Sequence, residues 1–156
     1  MYYKGGNIYK GEWVNDKREG KGTMDYKSGN IYKGEWVNDK REGKGIFYYN
    51  DDIWKGDRYD GEFRNDEKDG RGIYYYKNGD RYDGEWKNNK KEGRGIMFYV
   101  NGARYEGEFK NNKREGKGVI YYKNGDREIG DFLNGDGIGK YVILYINGNV
   151  KEINYK

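Results

Sequence analysis

Carboxylates, glycines and lysines are the groups in this sequence whose spacing could do chemistry. In Gly135-Asp-Gly137-Ile-Gly139-Lys140, closely spaced glycines precede a lysine, an arrangement that lets backbone N–H groups and an ammonium cradle a phosphate. Asn134 and Tyr141 stand where such a loop needs its first Gly and its Ser or Thr, and no helix is signalled behind it to receive the anion. Asp51, Asp52 and Asp57 gather oxygen ligands suited to a hard cation, although three acids in one loop more often make a solvated bulge. His and Cys are both absent, which removes the commonest metal ligand and general base, the thiolate nucleophile and any disulfide. A paired-carboxylate hydrolase would find material among the 27 Asp and Glu, but no pair stands out. The expectation is a protein with no catalytic residue, no metal, no cofactor and no small-molecule substrate.

The carboxylates recur instead. Asn7–Gly22 returns letter for letter as Asn30–Gly45. Tyr9-Lys-Gly11-Glu-Trp13, Tyr32-Lys-Gly34-Glu-Trp36, Tyr59-Asp-Gly61-Glu-Phe63, Tyr82-Asp-Gly84-Glu-Trp86 and Tyr105-Glu-Gly107-Glu-Phe109 share one template. Each is followed by a Gly pair: Gly20/Gly22, Gly43/Gly45, Gly70/Gly72, Gly93/Gly95, Gly116/Gly118. The period is 23 residues, except that four more fall between Tyr32 and Tyr59. This frame predicts one array over residues 1–156: a half repeat at 1–8, full repeats from Tyr9, Tyr32, Tyr59, Tyr82 and Tyr105, a degenerate sixth at 128–150 and a cap strand at 151–156. The sixth repeat puts Glu128 where Tyr belongs and Tyr141 where the second Gly belongs. Atypical ends are what a repeat array needs as caps.

Within each repeat Tyr, Gly and Trp at i, i+2 and i+4 share one face of a strand, with Lys or Asp and Glu on the other. Asn15, Asn38, Asn65, Asn88 and Asn111 supply positive φ for a tight turn, and Ser28-Gly29, Asn78-Gly79, Asn101-Gly102, Asn124-Gly125 and Asn147-Gly148 end the second strand. The expected fold is all-β, an elongated, twisted, single-layer antiparallel sheet of stacked hairpins. Gly weakens a strand unless its missing side chain is used; here the glycines should leave troughs in which rings lie flat. That makes Tyr9, Trp13, Tyr32, Trp36, Tyr59, Phe63, Tyr82, Trp86, Tyr105 and Phe109 the repeat core. Mean hydropathy of −1.37 with 37% charged residues would suit a disordered chain. A net charge of only +4 and 28 periodic aromatics (4 Trp, 19 Tyr, 5 Phe) argue for an ordered one.

The pattern Y-x-G-x-W, seven residues, G-x-G, an aromatic pair and N-G-D closely resembles the MORN (membrane occupation and recognition nexus) repeat over essentially the whole chain. The resemblance implies stacked hairpins with a groove and a non-catalytic role: scaffold, dimerising module, protein-binding groove or contact to anionic phospholipid. Enzymes of the family carry their chemistry in another domain.

The outer positions after the Gly pair depart from the small polar residues usual in that family. They hold Ile46 and Tyr48, Ile73 and Tyr75, Ile96 and Phe98, Val119 and Tyr121, with Thr23 and Asp25 in the first repeat. Aligned, they would form an apolar stripe suited to a partner, continued by Val142 and Leu144 in the run Tyr141–Ile146, which is expected to be a pairing edge. Strand propensity alone would also place such residues there. Lys21, Lys44, Arg71, Arg94 and Lys117 form a basic column that would suit anionic lipid, though the Glu column beside it makes an ordinary ladder equally. Nucleic acid is disfavoured by those carboxylates. The function expected is a scaffold or adaptor for a protein partner or a second copy, with anionic membrane binding as the alternative. With no apolar run near 18 residues and no leader, the expected location is cytoplasmic, peripheral at membrane or cytoskeleton.

Overall fold

A computed structural model describes residues 5–155; residues 1–4 of the expected half repeat and Lys156 lie outside them. The described residues form strands and turns only. The strands are β1 (Ile8–Val14), β2 (Lys17–Asp25), β3 (Ile31–Val37), β4 (Lys40–Tyr48), β5 (Arg58–Arg64), β6 (Glu67–Tyr75), β7 (Arg81–Lys87), β8 (Lys90–Phe98), β9 (Arg104–Lys110), β10 (Lys113–Tyr121), β11 (Arg127–Leu133), β12 (Asp136–Leu144) and β13 (Val150–Tyr155). They make one open antiparallel sheet ordered as in the chain, the stacked-hairpin meander expected from the repeat. The chain divides into two compact halves, Met1–Lys77 with Lys87–Asn89, and Asn78–Trp86 with Lys90–Lys156.

In both halves the hairpins close through two residues at positive φ, such as Asn15 (50°) and Asp16 (61°), or Asn111 (49°) and Asn112 (71°). That is the mirror-image turn whose twist matches the flanking strands. Its second residue also docks on the preceding hairpin: in the N-terminal half Asp39 accepts from the Arg18 N–H at 3.0 Å and donates its own N–H to the Arg18 carbonyl at 3.2 Å. In the C-terminal half Asn112 does the same for Lys91. The turn residue is thus tied to the neighbouring repeat.

Each second strand carries a bulge at the first Gly of its pair. Gly20 has φ 61°, the register slips between Gly11 and Glu12, and an added Cβ would stand 2.4 Å from the Glu12 carboxylate, which accepts the Lys21 N–H at 2.9 Å. Only Gly fits this G1-type bulge without strain.

The second Gly of the pair serves the core. In the N-terminal half Gly11, Gly22, Gly34, Gly45, Gly61 and Gly72 stand side by side across the strands. Over them lie the rings, but from the same strand as well as the neighbouring one: a Cβ on Gly22 would meet the Tyr9 hydroxyl at 2.2 Å and one on Gly11 would meet it at 2.4 Å. The hydroxyl then donates to the carbonyl of Glu12 at 3.2 Å, so a fully buried phenol is satisfied.

Tyr9, Tyr32, Tyr59, Tyr82 and Tyr105 are each 0% exposed, and Trp36, Phe63, Trp86 and Phe109 are buried. Their rings meet edge to face: Tyr9 with Trp13 and Trp36 at 5.2 and 5.4 Å in the N-terminal half, Tyr105 with Phe109 and Phe132 at 5.3 and 5.0 Å in the C-terminal half. Such pairs add about 0.5–1.5 kcal/mol each beyond area burial. This ladder is the core of a single-layer sheet.

In the sixth repeat the ladder changes strand. Glu128 occupies the Tyr column and Tyr141 the Gly column, and the Tyr141 ring fills the trough from the opposite side, where a Cβ on Gly130 would meet it at 2.5 Å. Its hydroxyl bonds the Asp131 carbonyl, as the Tyr105 hydroxyl bonds that of Glu108 at 3.1 Å. The two substitutions compensate, and Tyr141 meets Phe132 at 5.5 Å and Tyr155 at 4.7 Å, both edge to face. The stretch Tyr141–Leu144 lies between β11 and β13. It is an interior strand and not the pairing edge expected from its composition; the strand Val150–Tyr155 covers it.

Candidate interaction surfaces

Strand alternation puts a second set of residues on the face opposite the buried rings. On this outer face Ile46, Tyr48, Ile73, Tyr75, Ile96, Phe98, Val119 and Tyr121 are all half-buried. They do not make the continuous apolar stripe expected. Antiparallel pairing sets charged residues of the first strands between them: Tyr75 faces Arg58, Ile73 faces Asp60, Ile96 faces Glu106, Phe98 faces Arg104. Each ring carries a cation: Lys33 lies 5.8 Å from Tyr48, Arg58 4.1 Å from Tyr75, Arg81 4.1 Å from Phe98 and Arg104 3.8 Å from Tyr121. Arg104 also bridges to Glu106 at 2.6 Å. Over most of its length the face is a chequer of cation–π pairs and aliphatic residues.

The sixth repeat breaks the chequer. Ile129 pairs with Val119 on one side and Val142 on the other, and Leu133 lies on the same face. Ile138 stands opposite Asp131, and Leu144 opposite Val150. Ile129, Leu133, Ile138 and Val150 are 41%, 48%, 38% and 62% exposed. The outer face of β11–β13 therefore carries open apolar residues among a few charges: Arg127 and Asp131 on β11 and the surface pair Lys140–Glu152 at 2.8 Å. Sequence reasoning singled out Val142 and Leu144 but missed Ile129, Leu133, Ile138 and Val150. The signal was there: Ile129 replaces the acid of Asp60, Asp83 and Glu106, and Leu133 the cation of Arg64, Lys87 and Lys110.

The basic column Lys21, Lys44, Arg71, Arg94 and Lys117 is exposed throughout. Lys21 stands opposite Glu35, Lys44 opposite Glu62, Arg94 opposite Glu108 and Lys117 opposite Asp131. It is half of a solvated charge ladder. One exception lies in the N-terminal half, where Lys10, Lys21, Lys33 and Lys44 surround a depression of about 420 Å³ with Thr23 and Glu35.

A second set of cations lies on the aromatic face. Arg18, Arg41, Lys68, Lys91 and Arg114 hold equivalent positions nine residues after the column Tyr. Arg18 covers Trp36 at 4.2 Å and Tyr9 at 5.9 Å; Arg114 covers Phe132 at 4.7 Å and Tyr105 at 5.5 Å. Burial pushes the Lys91 ammonium below the usual lysine range. The core aromatics are thus capped by the chain's own cations, leaving no bare groove in these repeats. Sequence reasoning assigned them no place on this face.

Glu128 is 5% exposed and accepts from the Tyr122 hydroxyl and from the Tyr155 hydroxyl at 2.6 Å. Its carboxylate pushes the Tyr155 phenol up to about 12; burial, then the same carboxylate, raises Tyr122. The loop acids have structural tasks. Asp51 caps its own turn, accepting from the N–H groups of Ile53 and Trp54 at 3.1 and 2.9 Å. Asp57, 5% exposed, accepts from the Tyr74 hydroxyl and the Lys77 N–H, both at 2.7 Å. The loop they shape presents Ile53 and Trp54, 70% and 50% exposed. No helix of the described residues is long and apolar enough to cross a membrane.

A profile for the family described as MORN repeat matches residues 9–31, 32–52, 59–81, 82–104 and 105–127. Curated proteins give no match. Among solved structures, the SAS-4 (dCPAP) TCP domain of Drosophila melanogaster, in complex with a proline-rich motif of Ana2 (dSTIL), is 18% identical, with 99% of this chain and 81% of that chain covered and a TM-score of 0.62. The TCP10 domain of CPAP from Danio rerio is 13% identical over 99% of this chain and 82% of that chain, with a TM-score of 0.40. The first similarity shows a shared fold, and the second is too distant to bear on this chain.

Proposed function

Because the chain belongs to the MORN-repeat family, we propose that it is a non-catalytic scaffold that binds a protein partner through the outer face of its sheet. The observation that carries this reading is the set of apolar residues Ile129, Leu133, Ile138, Val142, Leu144 and Val150 on β11–β13, joined to the chequer of capped rings through the Val119–Ile129 pair. Exposed apolar ground of this kind on a soluble sheet marks an interaction site. Aromatic rings under arginine are also the residue types that dominate interface energies. The fly SAS-4 domain, which shares the fold, was solved with a proline-rich motif of Ana2, so a sheet of this kind can receive a polypeptide.

The test is chemical crosslinking of the protein in extract and sedimentation of the purified chain, with two triple variants. Tyr75→Ser, Phe98→Ser and Tyr121→Ser form one; Ile129→Lys, Val142→Glu and Leu144→Lys form the other. Loss of the same crosslinked partner in both, with native far-UV dichroism, is the expected result. Sedimentation as a dimer that the variants dissolve would make the partner a second copy. Unchanged crosslinks and sedimentation would remove the reading.

A second reading, anionic membrane binding through Lys21, Lys44, Arg71, Arg94 and Lys117, is favoured at one place by the four-lysine depression of the N-terminal half. Flotation with anionic and neutral vesicles near physiological salt, where screening acts over about 8 Å, tests it. Binding that survives Lys21→Glu with Lys44→Glu would dismiss it. In either reading we place the protein in the cytoplasm, working at cytoskeleton or membrane.

A further inference from the structure

The sixth repeat lacks the cation that caps each of the other five. Nine residues after the column position, where Arg18, Arg41, Lys68, Lys91 and Arg114 stand, it has Gly137. In the third repeat the Lys68 ammonium lies 4.7 Å from the Tyr74 ring, 5.5 Å from Tyr59 and 5.8 Å from Tyr49. The same three positions in the sixth repeat are Ile143, Glu128 and Tyr122. They line an open cavity of about 510 Å³, with Ala103, Tyr145 and the opposed charges Lys123 and Asp126 among its other walls. That size falls in the range of about 300–1,000 Å³ common for ligand sites.

The cation slot is therefore vacated at the one place where the column residue is a carboxylate instead of a phenol. Glu128 is buried and bonded to two tyrosine hydroxyls, and no Lys or Arg of the described residues forms an ion pair with it. A buried carboxylate held only by neutral donors is left with an unbalanced charge. Tyr122 and Tyr145 add two π-faces, and cations bind such faces more strongly once desolvated.

We propose that this cavity receives a Lys or Arg side chain of a partner polypeptide, which supplies from outside the cation that every other repeat supplies from within. Alkyl stem against Ile143 and Ala103, charged head toward Glu128 and the rings, is the arrangement the third repeat already makes with its own lysine. Such a side chain satisfies charge, rings and aliphatic wall together, which neither a neutral nor an anionic residue would. The cavity opens on the aromatic face, opposite the outer surface of the preceding proposal, so the two stand or fall separately.

The experiment is a titration of the isotope-labelled protein with four probes: acetyl-Ala-Arg-Ala-amide, acetyl-Ala-Lys-Ala-amide, the norleucine analogue and ethylammonium ion. Saturable shifts of the amides of Tyr122, Glu128 and Tyr145 with the Arg and Lys peptides, at least about tenfold weaker with norleucine, are expected. Glu128→Gln keeps the size and the hydroxyl partners and should weaken binding about tenfold or more. Ile143→Arg puts a cation in the slot from within and should abolish binding, which keeps the test decisive if the Gln variant folds poorly. Tyr75→Ser with Tyr121→Ser, on the other face, should leave it intact. Equal binding of the norleucine peptide, or undiminished binding to Ile143→Arg, would overturn the proposal. Ethylammonium binding as tight as the peptides would overturn its polypeptide part by pointing to a small-molecule cation.

Discussion

Tyr32 lies so closely over Gly45 that a Cβ added to the glycine would stand 2.4 Å from its hydroxyl oxygen and 2.5 Å from its ring. The ring is fully buried and also braced edge-on by Trp36 and Phe63 at 5.2 and 5.1 Å, so it cannot move aside cheaply. Gly45→Ala is expected to cost about 1–3 kcal/mol, the usual range for overpacking. Gly148 has φ 88° but nothing within 4 Å of its Cβ, so Gly148→Ala should show backbone strain alone and cost less. Urea denaturation of both variants compares them, and equal losses would contradict a flat ring over Gly45.

Asp39 accepts both the N–H and the Nε of Arg18, at 3.0 and 2.9 Å, and these bonds hold its carboxyl below the usual aspartate range. Its contribution is complete above the unfolded aspartate pKa and is lost as pH falls toward the lower folded value. Asp39→Asn should keep the backbone bond, as Asn112 does toward Lys91 at 2.8 Å, while removing this acid dependence. Thermal melts across the acid range, with Asp39→Ala as the more damaging comparison, check both statements.

Buried phenols set the alkaline limit. Tyr49 and Tyr105 are pushed up to about 12, by burial first, and Tyr32, Tyr59 and Tyr74 are raised as well. The unfolded chain loses these protons near pH 10 while the folded chain keeps them. Their stabilisation is therefore present below about pH 10 and is lost as pH climbs through about 12, by at most about 1.4 kcal/mol per pH unit for each group. Lys91, with its ammonium depressed by burial, works the other way, since the unfolded chain holds the proton longer and stability rises with pH up to the unfolded lysine value. The raised tyrosines outnumber the one depressed lysine, which predicts a melting temperature that falls above about pH 10, with the tyrosinate absorbance of these buried groups appearing on unfolding.

Asp57 is the buried acid of the extended β4–β5 loop, and its two bonds at 2.7 Å tie that loop to Tyr74 and to Lys77. Asp57→Ala leaves a buried hydroxyl and a backbone N–H without their acceptor, which should cost about 1–3 kcal/mol. Asp57→Asn should recover part of it. The extra solvent exchange at the Lys77 amide reads the broken bond directly.

On the outer face, Arg104→Ala removes the guanidinium from Tyr121 and the partner of Glu106. Because both groups are partly exposed, the loss should be below about 1 kcal/mol, measured in the same urea assay. A larger loss would mean that the face is a second core instead of a display surface.

The hairpins, the turn residues, the buried Tyr, Trp and Phe columns and the use of Gly for close approach are all legible in the residues. Tyr9, Gly11 and Trp13 repeat at the spacing of one strand face, and Asn15 marks the turn wherever it recurs. The Arg58–Tyr75 and Arg104–Tyr121 contacts are not legible that way, because the partners come from different strands and meet only once the bulge at the glycine has shifted the register. The role of Lys68 is hidden for the same reason, since its ring neighbours Tyr59, on β5, and Tyr49, in the β4–β5 loop, lie outside its own strand.

What the sequence by itself determined is the set of local facts: a period of two within strands, a period of 23 residues between repeats, two kinds of turn and the two faces they imply. These follow from each residue's own backbone preference and from side-chain alternation, which need no knowledge of neighbours. Only the tertiary structure decided which residues oppose one another across strands. That opposition turned the expected apolar stripe into a chequer, placed Tyr141–Leu144 inside the sheet, let Tyr141 take over from a missing tyrosine at Glu128, and left one cation slot open. The reason is that register depends on the bulge and on the packing of rings over glycines from two strands at once, and a slip of one residue would exchange every contact on both faces.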